Sequence, residues 1–169
     1  MAPASITFAE FEQLPDAPGK RELIDGELIE LPPPKLSHSH IAKRFCRLLF
    51  TRLPETRVWQ EAGYRIGDGW LQPDVSVTWP DQSVENDYLV GAPAIAVEIL
   101  SPRNTAAEID RKITLYLSEG GGEVWVVNSK RKIMTVYRAS SGQVLRIVAD
   151  STYTSDLLGL TIELPQVFT

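Results

Sequence analysis

The sequence predicts an α+β protein in which helices flank a central mixed β-sheet. The main observation is the unit formed by residues 92–127, where two apolar runs enclose a segment with helical periodicity. Unbroken apolar runs are typical of strands covered on both faces, and parallel neighbours need a connection of a dozen or more residues. The unit therefore indicates a strand–helix–strand crossover. Turn signals on both sides of it, Asp25-Gly26 and Ser140-Ser141-Gly142, predict β-hairpins near the N-terminus and the C-terminus.

The elements before the crossover unit follow from capping, turn and periodicity signals. Residues 7–14 are predicted to form a short helix, because Thr7 and Glu10 have the spacing of a capping box. Residues 22–29 are predicted to form two short strands around Asp25-Gly26, and an amphipathic helix is expected over residues 39–53. Residues 57–66 and 71–79 are predicted to pair as strands around a Gly-Asp-Gly turn, and residues 80–90 to form an acidic loop.

The elements from the crossover unit onwards complete the predicted sheet. Its helix is expected over residues 105–118, with a second capping box formed by Thr105 and Glu108. Residues 133–138 and 144–148 are expected to form a hairpin, and residues 157–162 a last packed segment. A chain of 169 residues fits one domain, so residues 1–169 are predicted to form a single domain.

Composition limits the classes of protein to consider. No apolar run approaches the ~20 residues that a membrane span needs, so no membrane association is expected. The first residues lack the basic and apolar regions of a signal peptide, and the single cysteine, Cys46, cannot form an internal disulfide; both favour a cytoplasmic protein. The net charge of −5 argues against nonspecific nucleic-acid binding by the whole surface, although a local basic patch stays compatible with it.

A carboxylate inside a buried strand is the first sign of a functional site. Glu98 interrupts the apolar run of residues 94–100 near the carboxyl end of that strand. An isolated buried carboxylate is costly, so it must be neutral, paired or bound to a metal. Ligands also bind at the carboxyl ends of strands in open α/β sheets. The alternative is that Glu98 reaches solvent or pairs with an arginine.

Two further residues extend the candidate site. Asp74 and the polar residues that alternate with valine after it face one side of their strand, so Asp74 and Glu98 could share a divalent cation if the two strands are neighbours. Lys112 borders the sheet-facing side of the crossover helix, from which its ammonium could reach Glu98. Such a set suits hydrolysis of a phosphodiester. Alone, Asp74 could cap a turn, and Lys112 could pair with Glu108.

Together these residues resemble the PD-(D/E)XK nuclease superfamily. The finer pattern is similar to the Uma-type family of restriction-endonuclease-like proteins, and the resemblance spans the chain from about residue 21 to the C-terminus. The matching features are residues 22–27 (Glu-Leu-Ile-Asp-Gly-Glu), His40 at a helix start, Pro73-Asp74-Val75, residues 97–102 (Val-Glu-Ile-Leu-Ser-Pro), Asp110-Arg111-Lys112 with Tyr116, residues 123–127 (Glu-Val-Trp-Val-Val) and Leu158-Gly159-Leu160.

The resemblance implies a restriction-endonuclease-like core and metal-dependent cleavage of DNA. Asp74 and Glu98 would be ligands of Mg²⁺ or Mn²⁺, together with the main-chain carbonyl of Ile99. The usual signature places the lysine two residues after the glutamate, where this sequence has Leu100. Lys112 would then be a lysine that has migrated to the following helix.

The remaining candidates carry an ordinary interpretation beside the functional one. Glu22 or Glu27 could supply a further acidic ligand, and His40 could line the site, although the sequence alone favours ordinary exposed strand residues for the glutamates and a structural helix-start residue for His40. Three basic residues of the amphipathic helix, Lys43, Arg44 and Arg47, could contact phosphates or simply form a solvated face.

Two alternatives to an active nuclease remain open from the sequence. Leu100 at the usual lysine position and the acidic balance favour a catalytically inactive nuclease-fold module that binds nucleic acid or protein. The other alternative is a homodimeric structural protein that uses the hairpin of residues 133–148 as its interface.

Overall fold

The strands of the computed structural model, which describes residues 5–169, form two six-stranded sheets and one two-stranded sheet. The helices of the described part are α1 (Phe8–Glu12), α2 (Leu36–Phe50), α3 (Ala106–Ser118) and α4 (Leu164–Phe168). The strands are β1 (Lys20–Ile24), β2 (Glu27–Leu31), β3 (Val58–Gln60), β4 (Tyr64–Ile66), β5 (Gly69–Leu71), β6 (Val75–Val77), β7 (Ser83–Glu85), β8 (Tyr88–Val90), β9 (Ile95–Ile99), β10 (Glu123–Asn128), β11 (Ile133–Arg138), β12 (Val144–Val148), β13 (Thr152–Ser155) and β14 (Leu160–Glu163).

The crossover unit supplies the two middle strands of a six-stranded sheet, which we call the central sheet. Strands β9 and β10 are parallel neighbours, and α3 connects them. The central sheet has the order β12-β11-β10-β9-β6-β3, with antiparallel pairs on both sides of the parallel one. Thr105 caps α3 in a capping box with Glu108. The α+β class with a mixed sheet and terminal hairpins is therefore confirmed.

The long hairpin predicted around the Gly-Asp-Gly turn is divided between the two six-stranded sheets. Strands β4 and β5 pair in the first sheet, whereas β3 and β6 pair in the central sheet. The two predicted strands of this hairpin are interrupted at facing positions, between β3 and β4 and between β5 and β6. Glu61 has a positive φ of 54°, and Pro73 has no amide hydrogen to donate to a ladder. This break places Asp74 at the junction between the sheets.

Two other boundaries differ from the sequence-based prediction. Helix α2 begins at Leu36 rather than at residue 39. The first residues of the helix add nothing to its buried apolar stripe, since Leu36 is 78% exposed, and the apolar periodicity therefore does not indicate this start. The helix ends before Leu53, since Pro54 disfavours helical backbone in the preceding residue. The acidic stretch contains the β7–β8 hairpin, whose turn residues Asn86 and Asp87 both have positive φ.

The central sheet buries a different core on each face. One face packs against α2, α4 and the two-stranded sheet, with Phe45, Val97 and Trp125 among the buried residues. The other face, which carries Ala96 and Val126, packs against α3 and the first sheet. Because side chains alternate along a strand, Glu98 belongs to this second face. None of the helices in residues 5–169 is both long and apolar enough to cross a membrane.

Candidate active site

Asp74 and Glu98 lie on the same face of the central sheet. The antiparallel pairing of β6 with β9 sets Ser76 opposite Ala96. Asp74 lies two residues before Ser76 and Glu98 two residues after Ala96, so both acids share the face of these two residues. The backbone N–H of Ile99 donates to Asp74 Oδ2 at 2.7 Å, which ties the first acid to the strand of the second. Both acids are 4% exposed. The sequence-based requirement that they share one side of the sheet is met.

Lys112 joins Glu98 to a third buried acid. Its Nζ lies 2.6 Å from Glu98 Oε2 and 3.0 Å from a carboxylate oxygen of Glu22 on β1. The other oxygen of Glu98 accepts a hydrogen bond of 2.8 Å from the hydroxyl of Tyr116. Glu22 also accepts the backbone N–H of Gln72 at 3.1 Å. Lys112 therefore pairs with site acids and not with Glu108, whose side chain closes the helix cap.

Two further side chains, Lys20 and His38, contact Asp74. Lys20 Nζ lies 3.1 Å from Asp74 Oδ1 and 3.8 Å from Glu22 Oε1, and it donates to the carbonyl of Gln72 at 2.8 Å. His38 Nε2 lies 3.2 Å from Asp74 Oδ2. Acids and ammonium groups thus alternate in one connected network, which runs Asp74, Lys20, Glu22, Lys112, Glu98.

Signals for both residues are present in the sequence. Lys20 precedes Glu22 by two positions, so the alternation of a strand puts both on one face. His38 precedes Ile41 and Phe45 by three and seven positions, so it continues the buried stripe of α2. Strand β1 begins two residues before its predicted start and α2 three residues before its own, so Lys20 and His38 lie outside the predicted bounds of both elements.

Burial and charge act in opposite directions on the ionisable groups of the network. Burial raises the pKa of Glu98 above its ordinary value, although the ammonium groups of Lys112 and Lys20 oppose the shift. Burial disfavours the charged form of Lys112, but the carboxylates of Glu22 and Glu98 outweigh it and raise its pKa. Burial and the repulsion from Lys112 disfavour the charged form of Lys20, but the attraction of the acids, Asp74 and Glu22 foremost, outweighs them and raises its pKa. The lysines are therefore charged at neutral pH.

Several other candidates lie away from the network. Glu27 pairs with Arg111 at 2.6 Å and its side chain is 45% exposed, whereas Glu22 is the hairpin glutamate that contacts Lys112. His40 is exposed on α2, whereas His38 contacts Asp74. The three basic candidates of α2 also differ in their surroundings. Lys43 and Arg47 are exposed, and Arg44 donates to the backbone carbonyl of Val167 in α4.

The donor set fits an oxygen-preferring cation with few protein ligands. Within residues 5–169, no three acidic, histidine or cysteine side chains stand close enough to form a complete metal cage. Mg²⁺ commonly binds through one or two carboxylates and keeps several waters, so Asp74 and Glu98 suffice for it. In an extended strand the carbonyl of a residue points to the same side as its N–H, so the Ile99 carbonyl faces the Asp74 side of β9. Nδ1 of His38 is buried and has no hydrogen-bond partner in the described residues.

The central sheet is mixed, has this crossover helix between its parallel strands and carries acids at the ends of two neighbouring strands, β6 and β9. This arrangement defines the restriction-endonuclease-like class. A family model, Uma2, described as "Putative restriction endonuclease", matches residues 8–165, and the chain belongs to this family. The chain is also similar in fold to a crystal structure of "a putative nuclease belonging to DUF820" from Anabaena variabilis ATCC 29413. The TM-score is 0.86 at 24% identity, with 96% of this chain and 97% of that chain covered. No curated protein matches the sequence significantly.

Proposed function

We propose that the protein is a metal-dependent endonuclease that hydrolyses phosphodiester bonds in DNA. The observation that carries the proposal is the buried network in which Lys112 joins Glu98 to Glu22 while Ile99 ties Asp74 to the same strand. Three buried carboxylates and two ammonium groups leave an excess of negative charge that favours a divalent cation. Membership of a family described as restriction endonucleases supports the same activity.

Asp74 and Glu98 are the proposed ligands of Mg²⁺ or Mn²⁺, together with the carbonyl of Ile99. A divalent cation in such a site polarises a phosphoryl oxygen and lowers the pKa of a bound water. Asp74 is positioned for this role by the Ile99 N–H, and Glu98 by Lys112 and Tyr116. Side chains fixed by neighbouring hydrogen bonds need little reorganisation when charge develops in the transition state.

Lys112 orients the glutamate and supplies positive charge beside the reacting phosphate. In the proposed hydrolysis, the oxygen of a water molecule forms a bond to phosphorus, and one ester P–O bond breaks. The attacking water gives up a proton to solvent, and the leaving oxygen takes one from solvent, so the reaction consumes one water. The basic side chains of α2, Lys43 and Arg47, are proposed to contact DNA phosphates, with a smaller part for Arg44, which already binds Val167.

A non-catalytic nuclease-fold module is the second candidate. The observation that favours it is that both oxygens of Asp74 already have close partners, because the Lys20 ammonium contacts Oδ1 and His38 contacts Oδ2 of the carboxylate that the metal needs. Such a module would bind nucleic acid or protein without cleaving it. A homodimer remains a separate prediction, and sedimentation of the purified protein tests it.

Cleavage of DNA by purified variants tests the proposed activity. Supercoiled and single-stranded DNA are incubated with the protein and Mn²⁺, and Asp74→Asn and Glu98→Gln are each expected to lose at least about a hundredfold in rate. Glu123→Gln is the matched control, because Glu123 is also buried but binds Trp125 and Tyr153 outside the network. If the two site variants cut as fast as the parent, the activity belongs to another site or a contaminant.

A further inference from the structure

Lys20 is the member of the network that shares Asp74 with the proposed cation. Its ammonium lies 3.1 Å from Asp74 Oδ1, and its other close contact is the backbone carbonyl of Gln72 at 2.8 Å. We propose that Lys20 competes with the divalent cation for Asp74 and that, in the loaded enzyme, it is the ammonium that contacts the scissile phosphate. This inference rests on the proposed nuclease function and adds a second lysine to it.

The two lysines of the network differ in how firmly they are held. Lys112 lies within 3.0 Å of two carboxylates, and its side chain is 5% exposed. Lys20 lies within hydrogen-bond distance of one carboxylate, since Glu22 is 3.8 Å away, and its side chain is 17% exposed. A movement of Lys112 would leave two buried acids unpaired, which is costly. Lys20 is therefore the ammonium that can turn towards a substrate.

The two oxygens of Asp74 also differ. Oδ2 accepts the N–H of Ile99 and lies 3.2 Å from His38, whereas Oδ1 contacts Lys20. A cation that binds Asp74 beside Ile99 would lie within a few ångströms of the Lys20 ammonium, and like charges at that distance repel strongly. Lys20 must then weaken cation binding at Asp74. A phosphate bound next to the cation would supply the negative charge that Lys20 loses.

The neighbouring residue provides a matched control on the same strand. Arg21 has the opposite orientation, because side chains alternate along β1. Its guanidinium pairs with Glu30 at 2.9 Å, on the second strand of the hairpin and away from Asp74. Arg21→Met therefore removes a positive charge of the same strand without removing a contact of the network.

Calorimetric titration of Mn²⁺ without DNA measures the competition directly. Lys20→Met is expected to bind Mn²⁺ about tenfold more tightly than the parent, because one like charge near the cation is removed. Lys20→Arg keeps the charge and should stay within about threefold of the parent. Arg21→Met should bind as the parent does. In the cleavage assay, Lys20→Met should be at least about a hundredfold slower at saturating Mn²⁺, as expected for loss of a transition-state contact.

The melting temperature gives a second measurement that does not depend on activity. At the same Mn²⁺ concentration, Mn²⁺ should raise the melting temperature of Lys20→Met by more than that of the parent, since the stabilisation of the folded state grows with the logarithm of the ligand concentration divided by Kd. Equal or weaker Mn²⁺ binding by Lys20→Met would overturn the competition, and unchanged cleavage would overturn the phosphate contact. If Asp74→Asn and the parent bind Mn²⁺ equally, the proposed nuclease site itself is wrong, which is a different result.

Discussion

Replacing Lys112 by methionine should destabilise the protein strongly. The substitution keeps the length and apolar character of the side chain but removes the ammonium that lies between Glu98 and Glu22. The two carboxylates are 4% and 1% exposed, so neither can regain water without a rearrangement of the core. The variant must either hold two buried like charges or take up a proton.

The size of this effect follows from the cost of an uncompensated buried charge. Removing one partner of a buried ion pair typically costs about 3–5 kcal/mol in the free energy of unfolding. For a chain of this length, 1 kcal/mol corresponds to a change in melting temperature of roughly 2–4 °C. The melting temperature of Lys112→Met should therefore fall by about 6–20 °C.

Urea denaturation followed by tryptophan fluorescence measures the loss. Lys43→Met is the control, because Lys43 is exposed on α2 and its removal should change the free energy by at most about 0.5 kcal/mol. The double variant Glu98→Gln/Lys112→Met should recover part of the loss, since one buried charge goes with its partner. A loss below about 1 kcal/mol in Lys112→Met would refute the buried network, because even an exposed pair can contribute that much.

Three further predictions follow from the same geometry. The free energy of unfolding that Lys112→Met loses relative to the parent should become smaller as the pH falls from 8 to 5. Burial raises the pKa of Glu98, so the folded variant binds a proton at a higher pH than the unfolded chain and is stabilised as the pH falls. A loss that does not change with pH would contradict this. His38→Ala should weaken Mn²⁺ binding or cleavage roughly tenfold while His40→Ala changes neither, and equal effects would remove His38 from the site. Gly63→Ala should destabilise the protein by about 1–3 kcal/mol, because the new Cβ would lie 2.0 Å from the Trp70 ring; an unchanged melting curve would contradict that close approach.

The parts of the fold that could be predicted are those in which a local pattern and the tertiary structure agree. The apolar runs around α3, with Thr105 as its cap, predicted the parallel pair β9 and β10 correctly. Periodicity also put Lys112 at the border of the buried face of its helix, where it is buried. The division of the long hairpin between two sheets could not be predicted, because it depends on the backbone at Glu61 and on long-range pairing.

The candidate site was predicted in outline and incompletely in detail. Glu98 stood out because an acid in an apolar strand has few explanations. Lys20 and His38 are harder to recognise from the sequence. Lys20 is the first residue of β1 and His38 lies in the first turn of α2, and the start of each element carries little apolar signal. The choice between Glu22 and Glu27 needed three-dimensional information, since both lie in the same hairpin and only the position of Lys112 distinguishes them.

Titration of Mn²⁺ into the parent, Asp74→Asn and Glu98→Gln tests the central claim most directly. The claim is that these two carboxylates, held by Ile99 and Lys112, form one cation-binding site. The parent should bind Mn²⁺ at a single site, and each variant should bind at least about tenfold more weakly. Binding that is equal in all three proteins, or absent from the parent at millimolar Mn²⁺, would contradict the claim.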